Sequence, residues 1–172
     1  MMKIEHQQPE RHVLTVTVDN EAGILARIAG MFTARGYNID SLTVADITEN
    51  HAVSRITIVT HGPPAVIDQI RHQLDRLVPV HKVVDLTEAG PYVERELALV
   101  KVSGTGEKRV EALRVAEIFR ARPVDTTTES FIFEITGIPD KIDSFVSLMR
   151  ELGLVEVGRT GVVGMIRGPK EA

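Results

Sequence analysis

The sequence predicts an α+β chain made of two βαββαβ units. Three observations carry that expectation. The order strand–helix–strand–strand–helix–strand can be read twice, at a spacing of ~80–85 residues. The apolar pattern alternates between a period of two and one near 3.6 as it proceeds. The segment 87–93, TEAGPYV, punctuates the two readings with Gly90-Pro91. The 172 residues suit two small domains or one large one. What repeats is the architecture, not the sequence.

Residues 1–10 are polar, carry Pro9 and read as a loose terminus. In residues 12–19, HVLTVTVD, Leu14, Val16 and Val18 alternate with Val13, Thr15 and Thr17, the mark of a strand. NEAG (20–23) breaks it. A helix follows with Ile24, Ile28 and Phe32 four apart and Leu25 beside them, closed by Gly36. Residues 38–46 and Val53–Thr60 read as strands joined by the turn ITENH. GPP (62–64) opens a second helix, since proline suits a first turn. Its apolar face is Ile67, Ile70, Leu74 and Leu77, Pro79 ends it, and Val80–Leu86 is a strand.

The second reading starts with the strand Leu97–Ser103. Residues 107–119 form a helix with Val110, Leu113, Ala116 and Phe119 turned inward. Pro123–Thr128 and Ser130–Thr136 pair as a hairpin. Pro139–Leu152 is a helix with Ile142, Phe145, Val146 and Met149 on one face, and Val155–Val157 and Val162–Ile166 close the unit. Both units are thus ferredoxin-like, with helices on one face of a four-stranded antiparallel sheet. The expected domains are 11–87 and 93–168. A sheet of this kind leaves one face and its edges uncovered, so pairing between chains, and hence a homodimer, is expected.

Composition narrows the function classes. The chain is 43% hydrophobic and 26% charged, enough to build a core rather than remain disordered. Lys and Arg total 20 against 24 Asp and Glu, a balance unsuited to general nucleic-acid binding. Aromatics make up 4%, too few for base-stacking platforms. No stretch reaches the ~20 apolar residues of a membrane span, and MMKIEHQQPERH lacks a signal peptide's apolar centre. A cytoplasmic protein is the resulting expectation.

Catalytic and metal motifs are not evident. Cysteine is absent, and His6, His12, His51, His61, His72 and His81 show neither HxH nor HExxH spacing. His61 and His81 could meet across neighbouring strand ends, although histidines there are usually ordinary surface residues. No nucleophile elbow occurs. Asp40/Asp46 and Glu94/Glu96 are carboxylate pairs. The latter suits either general acid–base work or, more simply, a solvated strand edge beside Arg95. SGTGEKR (103–109) departs from both the dinucleotide and the Walker spacing and reads as a tight turn.

Two segments remain. In DNEAGIL (19–25), Asn20 follows the first strand and Gly23 precedes the helix. Its first N–H groups, from Gly23, Ile24 and Leu25, form a site for a carboxylate. The plainer reading is that Asn20 caps the helix. In RGYNIDSL (35–42), Asn38 either meets a charged end of a ligand or is a turn residue.

The run Leu14 to Leu42, with DNEAGILARIAGMFTARGYNIDSLTV, resembles the ACT domain of acetolactate synthase small subunits. SRITIV (54–59), QIRHQLDRLVPVHKVVDL (69–86), VERELALVKV (93–102), EIFRA (117–121) and RTGVVGMIRG (159–168) continue the likeness in order. It spans about residue 11 to 168, with Thr160 and Ala26 as departures; some relatives carry Ser at the latter position. The resemblance implies that the first unit is an ACT domain. It also implies a non-catalytic regulatory partner of a large thiamine-diphosphate enzyme that condenses two pyruvates, or pyruvate with 2-oxobutyrate. That reaction heads valine, leucine and isoleucine biosynthesis. Thiamine diphosphate, Mg²⁺ and FAD would belong to the large subunit. The small subunit would activate it and confer feedback inhibition by valine or a related branched-chain amino acid. By the same resemblance the ligand lies at a dimer interface, between Asn20, Gly23, Ile24 and Leu25 of one chain and Asn38 and Ile39 of the other. Ile24, Leu25 and Ile39 would take a branched side chain. The alternatives are a free-standing ACT-domain sensor of another enzyme or regulator, a metal-responsive regulator, and a small α+β enzyme.

Overall fold

The computed structural model describes residues 9–169 and 171. The described residues form two compact units: one holds those up to Val93 together with those from Gly164 on, the other Glu94–Val163.

The first unit runs β1 (Glu10–Asp19), α1 (Ile24–Ala34), β2 (Ser41–Asp46), β3 (Val53–Gly62), α2 (Pro64–Asp75) and β4 (Val80–Asp85). Its antiparallel sheet has the order β2-β3-β1-β4, the βαββαβ arrangement that the periodicity predicts. Leu14, Val16 and Val18 of β1, Ile56 and Ile58 of β3, Ile24, Ile28 and Phe32 of α1, and Ile67, Ile70 and Leu74 of α2 share one buried cluster. Each such side chain contributes roughly 1.5–3 kcal/mol by leaving water. Two elements differ from the expectation. β2 begins at Ser41 rather than residue 38, because 38–40 form a loop whose side chains bond locally. A short helix, α3 (Leu86–Ala89), follows β4; Asp85 caps it by accepting from the Thr87 N–H at 2.9 Å.

The second unit is built on β5 (Tyr92–Ser103), α4 (Gly106–Phe119), β6 (Arg122–Thr126), β7 (Ser130–Gly137), α5 (Pro139–Glu151) and β8 (Leu154–Arg159). The strand order β6-β7-β5-β8 repeats that of the first sheet. A short last strand, β9 (Val163–Ile166), pairs with β5; from Gly164 on it belongs to the first unit, where the Arg167 N–H donates to the Pro91 carbonyl at 2.9 Å. Phe131, Phe133, Ile135, Ile142, Phe145 and Met149 lie in the core of the second unit. The inward face of α4 is a correction. It buries Ala112, Val115 and Ala116 with Phe119 beside them, whereas Val110 and Leu113 are 49% and 38% exposed. This helix is apolar on more than one side, and the small Ala112 and Ala116 let it sit close to the sheet.

Glu96 is a second correction. It is neither an acid–base candidate nor a solvated edge residue, but 5% exposed and gripped by Arg159. The predicted tight turn at 103–109 is present: β5 ends at Ser103 and α4 starts at Gly106.

Candidate functional site

The β1–α1 turn brings Asn20, Gly23, Ile24 and Leu25 together. β1 ends at Asp19, and the Asn20 N–H donates to the Ala52 carbonyl at 2.8 Å, fixing the turn against the start of β3. Gly23 has φ of +85° and ψ of −3° and precedes the first helical residue with no side chain capping the helix. A residue with a Cβ is strained in this left-handed conformation, which explains glycine here. Nothing lies within 4 Å of where a Gly23 Cβ would stand, so the turn is open to approach. The Gly23 carbonyl takes the Arg27 N–H at 3.0 Å, and the Ile24 N–H reaches Glu21 O at 3.3 Å. Among the described residues no backbone carbonyl takes the Gly23 or Leu25 N–H. Those groups therefore point outward at the positive end of the helix dipole. The Ile24 side chain is 7% exposed and sits in the core, while Leu25 is 39% exposed beside the turn.

Asn20 does not cap α1. Its side-chain nitrogen donates to Asp46 Oδ1 at 3.0 Å and to the His51 carbonyl at 2.9 Å. Asp46 ends β2 and also accepts from the Ser54 hydroxyl at 2.9 Å and meets His51 Nδ1 at 2.9 Å. The Ser54 hydroxyl, and then the His51 ring, hold the Asp46 carboxyl below its ordinary pKa of 3.8. Asp46, His51 and Ser54 escape a sequence reading as parts of this network. Only the strand register, which sets Asp46 opposite Ser54, brings them to the turn.

Asn38 and Ile39 lie after the other end of α1, about 16 Å away along an 11-residue helix. Within one chain the two groups of candidate residues do not meet. Asn38 is exposed, donates to Asp40 Oδ1 at 2.6 Å and accepts at its backbone carbonyl from the Thr60 hydroxyl at 2.7 Å. Asp40 in turn bonds His61 Nδ1. Ile39 is half-buried against the core of the first unit.

His61 and His81 do not meet. His61 pairs with Arg11 at the start of β1, while His81 Nε2 contacts Asp19 Oδ1 at 2.6 Å at its end. Asp40 and Asp46 likewise stand at opposite ends of β2. One group of the described residues, His12, Asp85 and Glu88, has the composition of a metal site. His12 Nδ1 is already on Asp85 at 2.6 Å, joining β1 to the end of β4, and Glu88 takes Arg71 at 3.0 Å, joining α3 to α2. No helix among the described residues is long and apolar enough to cross a membrane.

Comparison with known proteins shows the family of the chain. Residues 14–82 match the family model of the AHAS small subunit-like ACT domain, and residues 95–168 that of the small subunit of acetolactate synthase. A probable acetolactate synthase small subunit of Archaeoglobus fulgidus is 47% identical over 161 residues, covering 94% of this chain and 99% of that one. The acetolactate synthase isozyme 3 small subunit of Salmonella typhimurium is 45% identical over 161 residues, covering 93% and 98%. The crystal structure of the acetolactate synthase small subunit from Thermotoga maritima superposes with a TM-score of 0.85 at 36% identity, covering 94% of this chain and 99% of that one.

Proposed function

Because the chain belongs to the family of acetolactate synthase small subunits, we propose that it activates a large, thiamine-diphosphate-dependent catalytic subunit and imposes feedback inhibition by valine or a related branched-chain amino acid. The observation that carries the ligand half of this reading is the open turn at Gly23, with outward N–H groups at the start of α1. Such a terminus suits an α-carboxylate.

The six residues Asn20, Gly23, Ile24, Leu25, Asn38 and Ile39 form the proposed site. Since Asn38 and Ile39 lie at the far end of α1, the site is completed by a second copy of the chain in a homodimer. The turn supplies N–H groups for the carboxylate. The exposed Leu25, with Ile39 of the second copy, supplies apolar surface for a branched side chain. Ile24 contributes its place in the helix start, its own side chain being used by the core. Burying a valine-sized group yields only about 1.5–3 kcal/mol, so preference among valine, leucine and isoleucine is modest and set by shape. Ligand at such an interface favours one arrangement of the two ACT domains, and a catalytic subunit bound to the dimer senses the difference.

In this reading the chain performs no chemistry itself. Thiamine diphosphate, Mg²⁺ and FAD are held by the catalytic subunit. The test is reconstitution with a cognate large subunit. Acetolactate formation rises when the chain is added and falls again as valine is titrated. Acetolactate produced by the chain alone, or no response of the large subunit to it, overturns the reading.

A further inference from the structure

The hydrogen bonds at the base of the candidate site fix more than the position of Asn20. Its amide has one end that donates and one that accepts. Both partners of its nitrogen, the Asp46 carboxylate at 3.0 Å and the His51 carbonyl at 2.9 Å, are acceptors only. The end facing them is therefore the NH₂, and both its hydrogens are used. What remains is Oδ1, an acceptor that no described residue engages.

We propose that Asp46 is a positioning residue of the amino-acid site: by holding the Asn20 amide with only its carbonyl oxygen turned outward, it makes the site select an α-ammonium group over an α-hydroxyl or α-keto oxygen. This rests on the ligand site proposed above. An ammonium brings three donors and no acceptor, so it matches Oδ1 with a charge-assisted bond. A hydroxyl brings one neutral donor. A keto oxygen brings none and sets lone pair against lone pair. Asp46 itself is braced by the Ser54 hydroxyl at 2.9 Å and by His51 Nδ1 at 2.9 Å, so the amide is held by a fixed group rather than a mobile one. Asn38 is arranged the same way: its nitrogen is bound to Asp40, which bonds His61. Such selection gives a regulator of an enzyme that consumes 2-oxo acids a way to ignore substrate-like compounds.

The test is calorimetry of the full chain with L-valine, 2-hydroxyisovalerate and 2-oxoisovalerate. In the wild type, valine binds at least about tenfold more tightly than the hydroxy acid, the difference between a charged and a neutral hydrogen bond, and the oxo acid binds weakest. Asp46→Leu removes one of the two acceptors that orient Asn20 and, with it, the carboxylate that holds His51, whose carbonyl is the other. Valine affinity then drops about tenfold, while the hydroxy acid, which both donates and accepts, loses little, so the ratio collapses towards one. Asp46→Asn still presents a carbonyl oxygen and retains most of the ratio. A purely structural loss weakens all three ligands together and leaves the ratio unchanged, which overturns the proposal. Equal binding of valine and the hydroxy acid by the wild type overturns it without any variant. If the wild type binds no branched-chain amino acid at all, the ligand site itself is wrong and this inference falls with it.

Discussion

The Glu96 carboxylate and the Arg159 guanidinium join by two parallel hydrogen bonds, Nε to Oε1 at 2.7 Å and Nη2 to Oε2 at 2.8 Å. Glu96 lies on β5 and Arg159 at the end of β8, so the pair clamps adjacent strands of the second sheet. Arg159 also reaches Asp143 of α5 at 2.6 Å. The bond to Glu96 is the main reason that the guanidinium holds its proton more firmly than usual; burial opposes it.

Removing one member leaves the other without its partner. Glu96 is 5% exposed, so Arg159→Met strands a buried carboxylate. Breaking a fully buried pair costs about 3–5 kcal/mol. The Arg159 side chain is 36% exposed, which allows water to reach the site and lowers the expected loss to about 2–3 kcal/mol. Urea denaturation measures it. The double change Glu96→Gln, Arg159→Met recovers part of the loss, because no charge is then stranded.

Gly153 follows α5 and tolerates no side chain. Its φ is +104°, and a Cβ there would stand 2.1 Å from the Ser103 carbonyl oxygen, a backbone atom that cannot move aside cheaply. The Ser103 N–H also donates to Gly153 O at 2.9 Å, joining the end of β5 to the approach to β8. Gly153→Ala therefore combines backbone strain with a clash and costs about 3 kcal/mol or more. The melting temperature falls by roughly 12 °C or more, at the usual ratio of about 4–8 °C per kcal/mol for a unit of this size. An unchanged melting temperature contradicts the argument.

Much of this architecture is legible in the sequence, for a physical reason. Ile24, Ile28 and Phe32, or Ile67, Ile70 and Leu74, repeat at the helical period because one face must be buried. What escapes is whatever depends on register or on choosing between two apolar stripes. Val110 and Leu113 obey the helical period as well as Ala112 and Val115 do, and only packing decides between them. Glu96 looks like a surface acid until Arg159, 63 residues away, is placed beside it. At the candidate site, Asn20 and Gly23 stand out from their local pattern. The bonds from Asp46 and His51 that orient Asn20 arise only when β2 and β3 pair.

The Asp46 titration tests that network directly. Its pKa in the folded chain lies below 3.8, chiefly through the Ser54 hydroxyl. A depressed carboxylate supports the fold above its unfolded pKa, and that support disappears as the pH drops through the folded value. Ser54→Ala removes the principal cause, so the Asp46 midpoint, followed by NMR, rises towards 3.8. His51→Ala gives a smaller rise. A midpoint unmoved by Ser54→Ala shows that the hydroxyl does not engage the carboxylate in solution.

The proposed homodimer brings a prediction about an edge. β2 is an outer strand of the first sheet, and Val44 on it is 43% exposed. An apolar residue on an uncovered edge favours pairing, and a lysine there opposes it. Light scattering at micromolar concentration gives a dimer for the wild type, and Val44→Lys shifts the equilibrium towards monomer. Valine partly restores the dimer if the ligand is shared between copies. A wild-type monomer both with and without valine rules out the shared site.

Gly23→Asp places a carboxylate where the ligand carboxylate is proposed to lie. Two like charges ~4 Å apart repel by about 4 kcal/mol at an effective dielectric of ~20, or roughly a thousandfold in affinity, and exposure of the turn reduces this. The backbone at Gly23, with φ of +85°, is left-handed, so any side chain adds strain. Gly23→Asn is the necessary companion. Aspartate and asparagine are alike in shape and tolerate this conformation better than other residues, so the difference between the two variants reports charge alone. Inhibition of the reconstituted enzyme by valine shifts to much higher concentration in Gly23→Asp and only modestly in Gly23→Asn. Asn38→His replaces the amide bound to Asp40 with a bulkier ring. Losing a hydrogen bond to a charged ligand group costs about 1.5–3 kcal/mol, so this variant also loses most of its response to valine. Both Gly23→Asp and Asn38→His still activate the large subunit, provided that activation uses another surface. Valine curves that match the wild type in both would locate the ligand away from the β1–α1 turn and the Asn38 loop, and would reduce Asn20 to a residue that merely pins one turn to another.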